Sequence, residues 1–290
     1  MQTRYVIITP ARDEEAFLKQ TIESVISQTV RPAEWVIVND GSTDRTAEII
    51  EESSRQYPWI RGVHRADRGF RKSGSGVMEA FIDGYATLSC RDWEFIIKLD
   101  GDLSFGPDYF EKCFKHFQSD PRLGVGGGAI YNLMPDGTWR FERGGPTFHV
   151  RGATKIYRRA CWEDIGGLWL GTGWDTLDEV KANMRGWVTR NFSDVHLVQH
   201  RATGVADGRW GNLVKNGRAN YISGYHPIFM LAKCISRVRY RPYVIGSIAL
   251  LYGFVTGYLK AAPRVNDPEL VGYLRRQQLG RLWGRETIWR

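Results

Sequence analysis

Two hydrophobic rhythms alternate along the first hundred residues. Short apolar runs, Tyr5-Val6-Ile7-Ile8, Trp35-Val36-Ile37-Val38 and Phe95-Ile96-Ile97, have the length of buried strands, and a further strand is expected near Ile60–His64. Between the runs the apolar positions return every three or four residues. Phe17, Leu18, Ile22, Val25 and Ile26 do so within Asp13–Gln28, the spacing of a helix with one buried face. A second helix is expected through about Tyr57, opening from a Ser42-Thr43-Asp44 cluster able to cap it, and a third over about 76–88. This strand–helix alternation predicts a right-handed, mostly parallel α/β sheet flanked by helices. Ligands of such sheets sit beyond the carboxyl ends of the strands. Three polar clusters fall at those ends: Thr9–Arg12, Asn39–Asp44 and Asp100–Asp102.

After Phe105 the rhythm changes. A helix is expected over Pro107–Phe117, then strands at Gly124–Tyr131 and Thr138–Arg143 around the turn sequence Met134-Pro135-Asp136-Gly137. Helices follow at about Arg158–Ile165, stopped by Gly166-Gly167, and at Asp175–Arg185, stopped by Gly186, before a strand near Val188–Phe192.

The carboxylates of Asp100-Gly101-Asp102 are the first candidate chemistry. Residues two apart on an extended chain can face one side, and Gly101 lets a ligand come close. Two hard oxygen donors suit Mg²⁺ or Mn²⁺ that also holds substrate phosphates. Asp-Gly is equally a common turn dipeptide, so a polar turn closing a strand is the plain alternative. Arg68, Arg71 and Lys72 surround a Gly/Ser loop where a helix begins near Ser75; such a place favours phosphate, although loop arginines are ordinarily solvated surface.

Composition narrows the class. The 290 residues are 42% hydrophobic, enough for a packed core. Cys90, Cys113, Cys161 and Cys234 form no Cys-x-x-Cys pair, which argues against a zinc site or a disulfide framework and fits a reducing cytosol. Met1–Arg4 runs directly into a strand with no signal-peptide pattern. The net charge of +8 is uneven: residues 208–290 hold 14 Lys and Arg against 3 Asp and Glu, whereas the first 207 hold 26 against 29. Such asymmetry points to a basic appendage facing an anionic partner, nucleic acid or an anionic membrane surface.

Taken in order, the motifs resemble the family 2 glycosyltransferases, which have the GT-A fold. The matching pieces are Val6–Glu15, Val38-Asn39-Asp40-Gly41-Ser42-Thr43-Asp44, Lys98-Leu99-Asp100-Gly101-Asp102, Gly166-Gly167 and Gly173–Glu179, covering about residues 5–205. The resemblance implies that Pro10, Ala11 and Glu15 line a nucleotide pocket and that Asp40 accepts a hydrogen bond from the base. It places Asp100 near the ribose or metal, beside Gly101, and Asp102 on the divalent ion bridging the donor diphosphate. A metal on that diphosphate stabilises the negative charge that develops as it leaves. Inverting transfer also needs a base for the acceptor hydroxyl. The family sets it in a Glu-Asp pair before a helix ending in Gly-Trp, and Asp175 stands 11 residues before Gly186-Trp187. Trp174 replaces the usual Glu, which leaves Asp178 and Glu179 as competing bases one turn along. A carboxylate in a first helical turn is also an ordinary preference. Related enzymes use a histidine near Asp194–Arg201 as an added metal ligand; His200, nearest the loop, is favoured over His196.

Processive members carry Gln-x-x-Arg-Trp and several membrane spans. Arg209-Trp210 lacks the glutamine, so transfer of a single sugar is expected, with 206–225 as a lid. Val244–Leu259 carries no charge over 16 residues, short of the roughly 20 that a spanning helix needs. Pro227–Cys234 is also apolar, with Arg237, Arg239 and Arg241 between the two stretches and Lys260 and Arg264 beyond. Short apolar helices edged with Arg and Tyr lie at the headgroup level, so residues 226–290 are expected to sit on an anionic membrane surface or to form an oligomer interface. Leu270–Leu282 reads as a basic amphipathic helix for anionic lipid. The whole implies a metal-dependent inverting transferase at the cytoplasmic membrane face, acting on a lipid-linked glycan. Its rivals are a sugar-phosphate nucleotidyltransferase, disfavoured because Thr9–Glu15 is acidic and glycine-free, and a non-catalytic nucleotide-sugar-binding protein, supported by Trp174 alone. Nucleic acid is the disfavoured partner, since no recognised module accompanies the charge.

Overall fold

The computed structural model describes residues 3–70, 75–133, 138–141, 145–201 and 208–289. Arg71, Lys72 and the turn at 134–137 lie outside them. The first half alternates β1 (Tyr5–Ala11), α1 (Leu18–Ile26), β2 (Glu34–Asn39), α2 (Thr46–Gln56), β3 (Ile60–His64), α3 (Ser75–Thr87) and β4 (Phe95–Leu99). These strands pair in parallel in the order β3-β2-β1-β4. Their apolar runs are buried on both faces: Ile7, Ile37 and Ile97 join one core, while Val6, Val36 and Ile96 join the other. Gly84 lets α3 settle on the sheet, because a Cβ there would meet Ile8 Cγ2 at 2.7 Å and Val38 Cγ2 at 2.8 Å. Helix α1 starts at Leu18, later than the apolar spacing suggested. The amides of Asp13, Glu14 and Glu15 instead donate to Ser42, Thr46 and Asp44, tying the end of β1 to that of β2.

The second half contains β5 (Leu103–Phe105), α4 (Tyr109–Ser119), β6 (Leu123–Leu133), β7 (Trp139–Phe141), β8 (Thr154–Arg158), α5 (Arg159–Ile165), α6 (Trp174–Met184) and β9 (Val188–Gln199). It extends the sheet as β4-β8-β6-β9-β5. Here the pairing is mixed. Strand β8 is antiparallel to β4 and β6, β9 is parallel to β6, and β5 is antiparallel to β9. Strands β5 and β8 escaped the hydrophobic reading, β5 because it spans three residues and β8 because a lysine, Lys155, interrupts its apolar run. Strand β9 continues past Phe192 to Gln199 through a register shift against β6. The carboxyl ends of β1, β2, β4 and β9 and the start of β8 therefore share one rim.

Four helices close the chain: α7 (Gly208–Ile222), α8 (Pro227–Arg237), α9 (Tyr243–Leu259) and α10 (Pro268–Leu282). Backbones of α7 and α9 touch through glycines, since a Cβ on Gly217 would come within 2.0 Å of Leu250 O and one on Gly253 within 2.0 Å of Val214 O. A third core, with Tyr221, Met230, Leu250, Phe254 and Leu274, joins these helices to Leu177 and Val180 of α6. Of the span 206–225 expected as a lid, residues 206–207 lie outside the described part, and 208–222 form α7 packed in this way. No helix among the described residues is long and apolar enough to cross a membrane.

Candidate active site

Asp102 begins just past β4 and is 6% exposed. Its Oδ2 accepts from Gln199 Nε2 at 3.2 Å, while Oδ1 is buried with no hydrogen-bond partner among the described residues. Burial, reinforced by the neighbouring Asp100 charge, pushes its carboxyl up to about 6. Asp100 is more open; its carboxylate accepts from Lys98 Nζ, which also donates to Gly152 O at 2.5 Å. Gly101 contributes close packing, as a Cβ there would lie 3.4 Å from both Glu14 Cγ and Leu18 Cδ1. An unmatched buried anion is costly unless a cation is near. Two oxygen donors with one unfilled acceptor fit a hard divalent ion that takes its remaining ligands from phosphates and water.

His200 lies opposite Asp102, donating its backbone N–H to Asp102 O at 2.9 Å. Its ring stacks on Phe17 with centroids 6.0 Å apart, and Nε2 meets Ser104 Oγ at 2.8 Å. Burial lowers its pKa, favouring the neutral imidazole a metal would need. Among the described residues no group of three His, Cys, Asp or Glu side chains is arranged to hold a metal. His196 turns elsewhere, with Nε2 2.8 Å from Ser193 O.

The side of the rim expected to take the nucleotide differs from its sequence reading in one respect. Asp40 is buried, and arginines fill both its oxygens: Arg68 grips it with a fork of 2.7 and 2.5 Å, and Arg65 adds a contact of 2.5 Å. Arg12 donates to the Asp40 carbonyl at 2.6 Å and to Asp67 at 2.8 Å. Gly41, at φ 70°, permits the crossing chain, since a Cβ would meet Asp67 Cα at 2.5 Å. A base N–H reaching Asp40 has to share or displace Arg68. Glu15 is exposed and accepts from Arg45 N at 3.1 Å, closing the start of α2. Pro10 is half-buried and Ala11 buried at the end of β1. Lys72 is outside the described residues.

Across the rim, α6 presents three acids in two environments. Asp175, in its first turn, is half-buried and lines a cavity of about 920 Å³ together with His149 and Thr176. Asp178 and Glu179 point into the interior. Asp178 accepts from Lys155 Nζ at 2.9 Å, Tyr157 OH at 2.5 Å and the Glu179 amide at 2.8 Å. Glu179 accepts from Val150 N at 2.7 Å, with His149 Nδ1 2.8 Å and Lys155 Nζ 3.0 Å away. Burial opposes the Lys155 charge, but Asp178, Glu179 and Asp175 outweigh it and hold the ammonium above its ordinary value. Burial raises Asp178 to about 6 against the pull of that lysine. Every oxygen of this acid pair is engaged, so the geometry favours Asp175 as the acid that can meet a substrate.

Trp174, at the position of the usual Glu, is 9% exposed and stands between Lys98 Nζ at 5.3 Å and Lys155 Nζ at 5.4 Å. Gly152 makes room for it, since a Cβ would sit 2.9 Å from Trp174 Cζ2. The indole thus joins the Asp100 side of the rim, through Lys98, to the buried acid network by cation–π contact. Lys98, Lys155, Tyr157, His149 and Gln199 were not singled out by sequence. The lysines did carry a signal, because a charge inside an apolar strand is seldom buried without a partner.

Several known proteins share this sequence pattern and architecture. A chondroitin synthase of Pasteurella multocida strain Pm70 is 32% identical over 132 residues, which is 46% of this chain and 13% of that protein. An uncharacterized glycosyltransferase, EpsJ, of Bacillus subtilis strain 168 is 34% identical over 85 residues, 27% of this chain and 25% of its own. The chain thus spans a minor part of these relatives. Among solved structures, the mannosyltransferase PcManGT from Pyrobaculum calidifontis in complex with GDP-Man and Mn²⁺ aligns with TM-score 0.57 at 16% identity, covering 99% of this chain and 89% of that one. TarS 1–349 of S. aureus in complex with UDP-GlcNAc aligns with TM-score 0.54 at 16% identity, covering 91% and 74%. The fold is the GT-A type expected from the motifs. The family model described as Glycosyl transferase family 2 matches residues 6–170, more than half of the sequence, and the chain belongs to that family.

Proposed function

We propose that the protein moves one sugar, with inversion, from a nucleoside diphosphate sugar to an acceptor hydroxyl, with Mn²⁺ or Mg²⁺ as cofactor. The observation that carries the reading is the buried, half-partnered carboxylate of Asp102 on the rim that Asp175 also occupies. Asp102 and Asp100 would hold the ion, with the His200 ring available beside them once it leaves Ser104. Bound there, the metal would neutralise charge developing on the departing diphosphate. Lys98 fixes the Asp100 carboxylate from below. Asp40 and its arginines, with Pro10, Ala11 and Glu15 at the neighbouring strand end, would receive the nucleoside. Asp175, facing the cavity from the first turn of α6, would take the acceptor proton.

The acceptor proposed is a lipid-linked glycan at the cytoplasmic face of a membrane. What supports this is the outer surface of α8 and α9. Ile228, Leu231 and Ile235 on α8 and Ile245, Ile248, Tyr252 and Leu259 on α9 are exposed side chains at helical spacing. Arg239, Arg241 and Lys260, also exposed, flank the apolar strip. An apolar strip edged with cations fits an anionic lipid surface, to which each basic residue near the membrane contributes about 1 kcal/mol. The experiment is transfer from a panel of nucleotide sugars to a lipid-linked acceptor in anionic vesicles, with Mn²⁺ and with EDTA. Metal-dependent release of a nucleoside diphosphate coupled to product supports the reading. Release of pyrophosphate from a nucleoside triphosphate and a sugar phosphate would replace it with nucleotidyl transfer.

A further inference from the structure

The cavity that holds Asp175 has a second wall, built by the inner face of α8. Lys233 and Arg237, one turn apart, both line it, and Arg281 of α10 stands at its edge. Lys233 Nζ lies 5.1 Å from the centre of the Tyr225 ring and makes no salt bridge among the described residues. Burial, together with the repulsion of Arg237, lowers its ammonium to about 8. Arg237 Nε is buried without a hydrogen-bond partner among the described residues. A lysine with no salt bridge among the described residues, beside an arginine with an unfilled donor, is arranged for an anion that arrives with a ligand. The opposite face of the same helix carries exposed Ile228, Leu231 and Ile235, so α8 presents the basic chamber on one face and an apolar surface on the other.

We propose that Lys233, Arg237 and Arg281 form a subsite for the phosphate or diphosphate that joins the acceptor sugar to an apolar chain. The anionic linkage would occupy the chamber with its sugar toward Asp175, while the chain leaves along the exposed face of α8. The assignment rests on the reading of this cavity as the acceptor site and names the chemical class of that acceptor.

The test is calorimetric titration of the full chain with farnesyl diphosphate in EDTA, which keeps the metal-dependent donor site from recruiting the diphosphate. Saturable binding is expected, with Lys233→Gln and Arg237→Gln each weakening it about tenfold or more and Arg237→Lys retaining most of it. UDP and GDP binding with Mn²⁺, measured in parallel, should be the same in all variants, which shows that they are folded and tests the donor reading separately. Unchanged farnesyl diphosphate affinity in both Gln variants overturns the proposal. So does farnesol binding as tightly as its diphosphate. Inorganic pyrophosphate binding as tightly as the prenyl compound would make the site one for free phosphate and equally overturn the acceptor assignment.

Discussion

Replacing Asp102 with Asn should make the metal-free protein more stable while removing its response to metal. The carboxylate is 6% exposed, has one hydrogen bond among the described residues, at 3.2 Å from Gln199, and lies beside the Asp100 charge. Its rise from the ordinary 3.8 to about 6 corresponds to about 3 kcal/mol of folding stability lost at neutral pH. Because the folded value exceeds the unfolded one, the loss is absent below pH 3.8, grows as the pH climbs, and is complete above about 6. Asn keeps an acceptor for Gln199 and removes the charge, but its amide nitrogen needs a new partner, which costs about 1–2 kcal/mol. A net gain of about 1–2 kcal/mol remains at pH 7.5, a rise in Tm of about 2–6 °C. Differential scanning calorimetry in EDTA at pH 7.5 and pH 5 reads this directly, with the advantage of the variant shrinking at pH 5. Adding Mn²⁺ and nucleoside diphosphate should raise the Tm of the wild type and leave Asp102→Asn unmoved. A variant less stable than wild type at pH 7.5 without metal would show that Asp102 is a satisfied structural acid, and the metal assignment would go with it.

Asp175→Asn should lower kcat about 10²- to 10⁴-fold, with Tm changed by about 1 °C or less and nucleotide affinity preserved. Equal activity of Asn and wild type would move the base elsewhere. Lys155→Met strands two buried carboxylates, Asp178 and Glu179, and should cost about 3–5 kcal/mol, seen as a Tm lower by roughly 10 °C. Combining it with Asp178→Asn should recover part of that loss; no recovery would mean the pair does not act through charge. Ile245→Glu with Ile248→Glu alters side chains that are 63% and 54% exposed, so Tm should hold while sedimentation with anionic vesicles falls several-fold. Undiminished sedimentation would remove the membrane reading of α8 and α9.

The rim of the site was legible because β1, β2 and β4 are unbroken apolar runs and the acids at 40, 100 and 102 follow them directly. The place of Asp175 at the start of a helix ending before Gly186 was also legible, whereas its role came from the family resemblance alone. What stayed hidden depends on pairing across the chain. Asp40 meets Arg68, 28 residues away, Lys155 meets Asp178, 23 away, and Asp102 meets Gln199, 97 away. No local periodicity encodes such contacts. They decide that Asp178 and Glu179 face inward, that Asp40 is already occupied, and that Trp174 fills a space opened by Gly152. Likewise α8 and α9 were visible as apolar stretches. Which faces they expose, and that Lys233 and Arg237 line the same cavity as Asp175, depends on contacts between distant segments, of which the meeting of α7 and α9 at Gly217 and Gly253 is one.

The reading as a whole turns on whether sugar leaves a nucleoside diphosphate for an acceptor when Asp102 and Asp175 are both present. The most direct measurement is the anomeric configuration, by NMR, of the product formed by the 290-residue chain from its preferred nucleotide sugar with Mn²⁺. An inverted linkage that disappears with EDTA, with Asp102→Ala and with Asp175→Asn is the expected result. A retained configuration, or inverted product undiminished by all three perturbations, would contradict it.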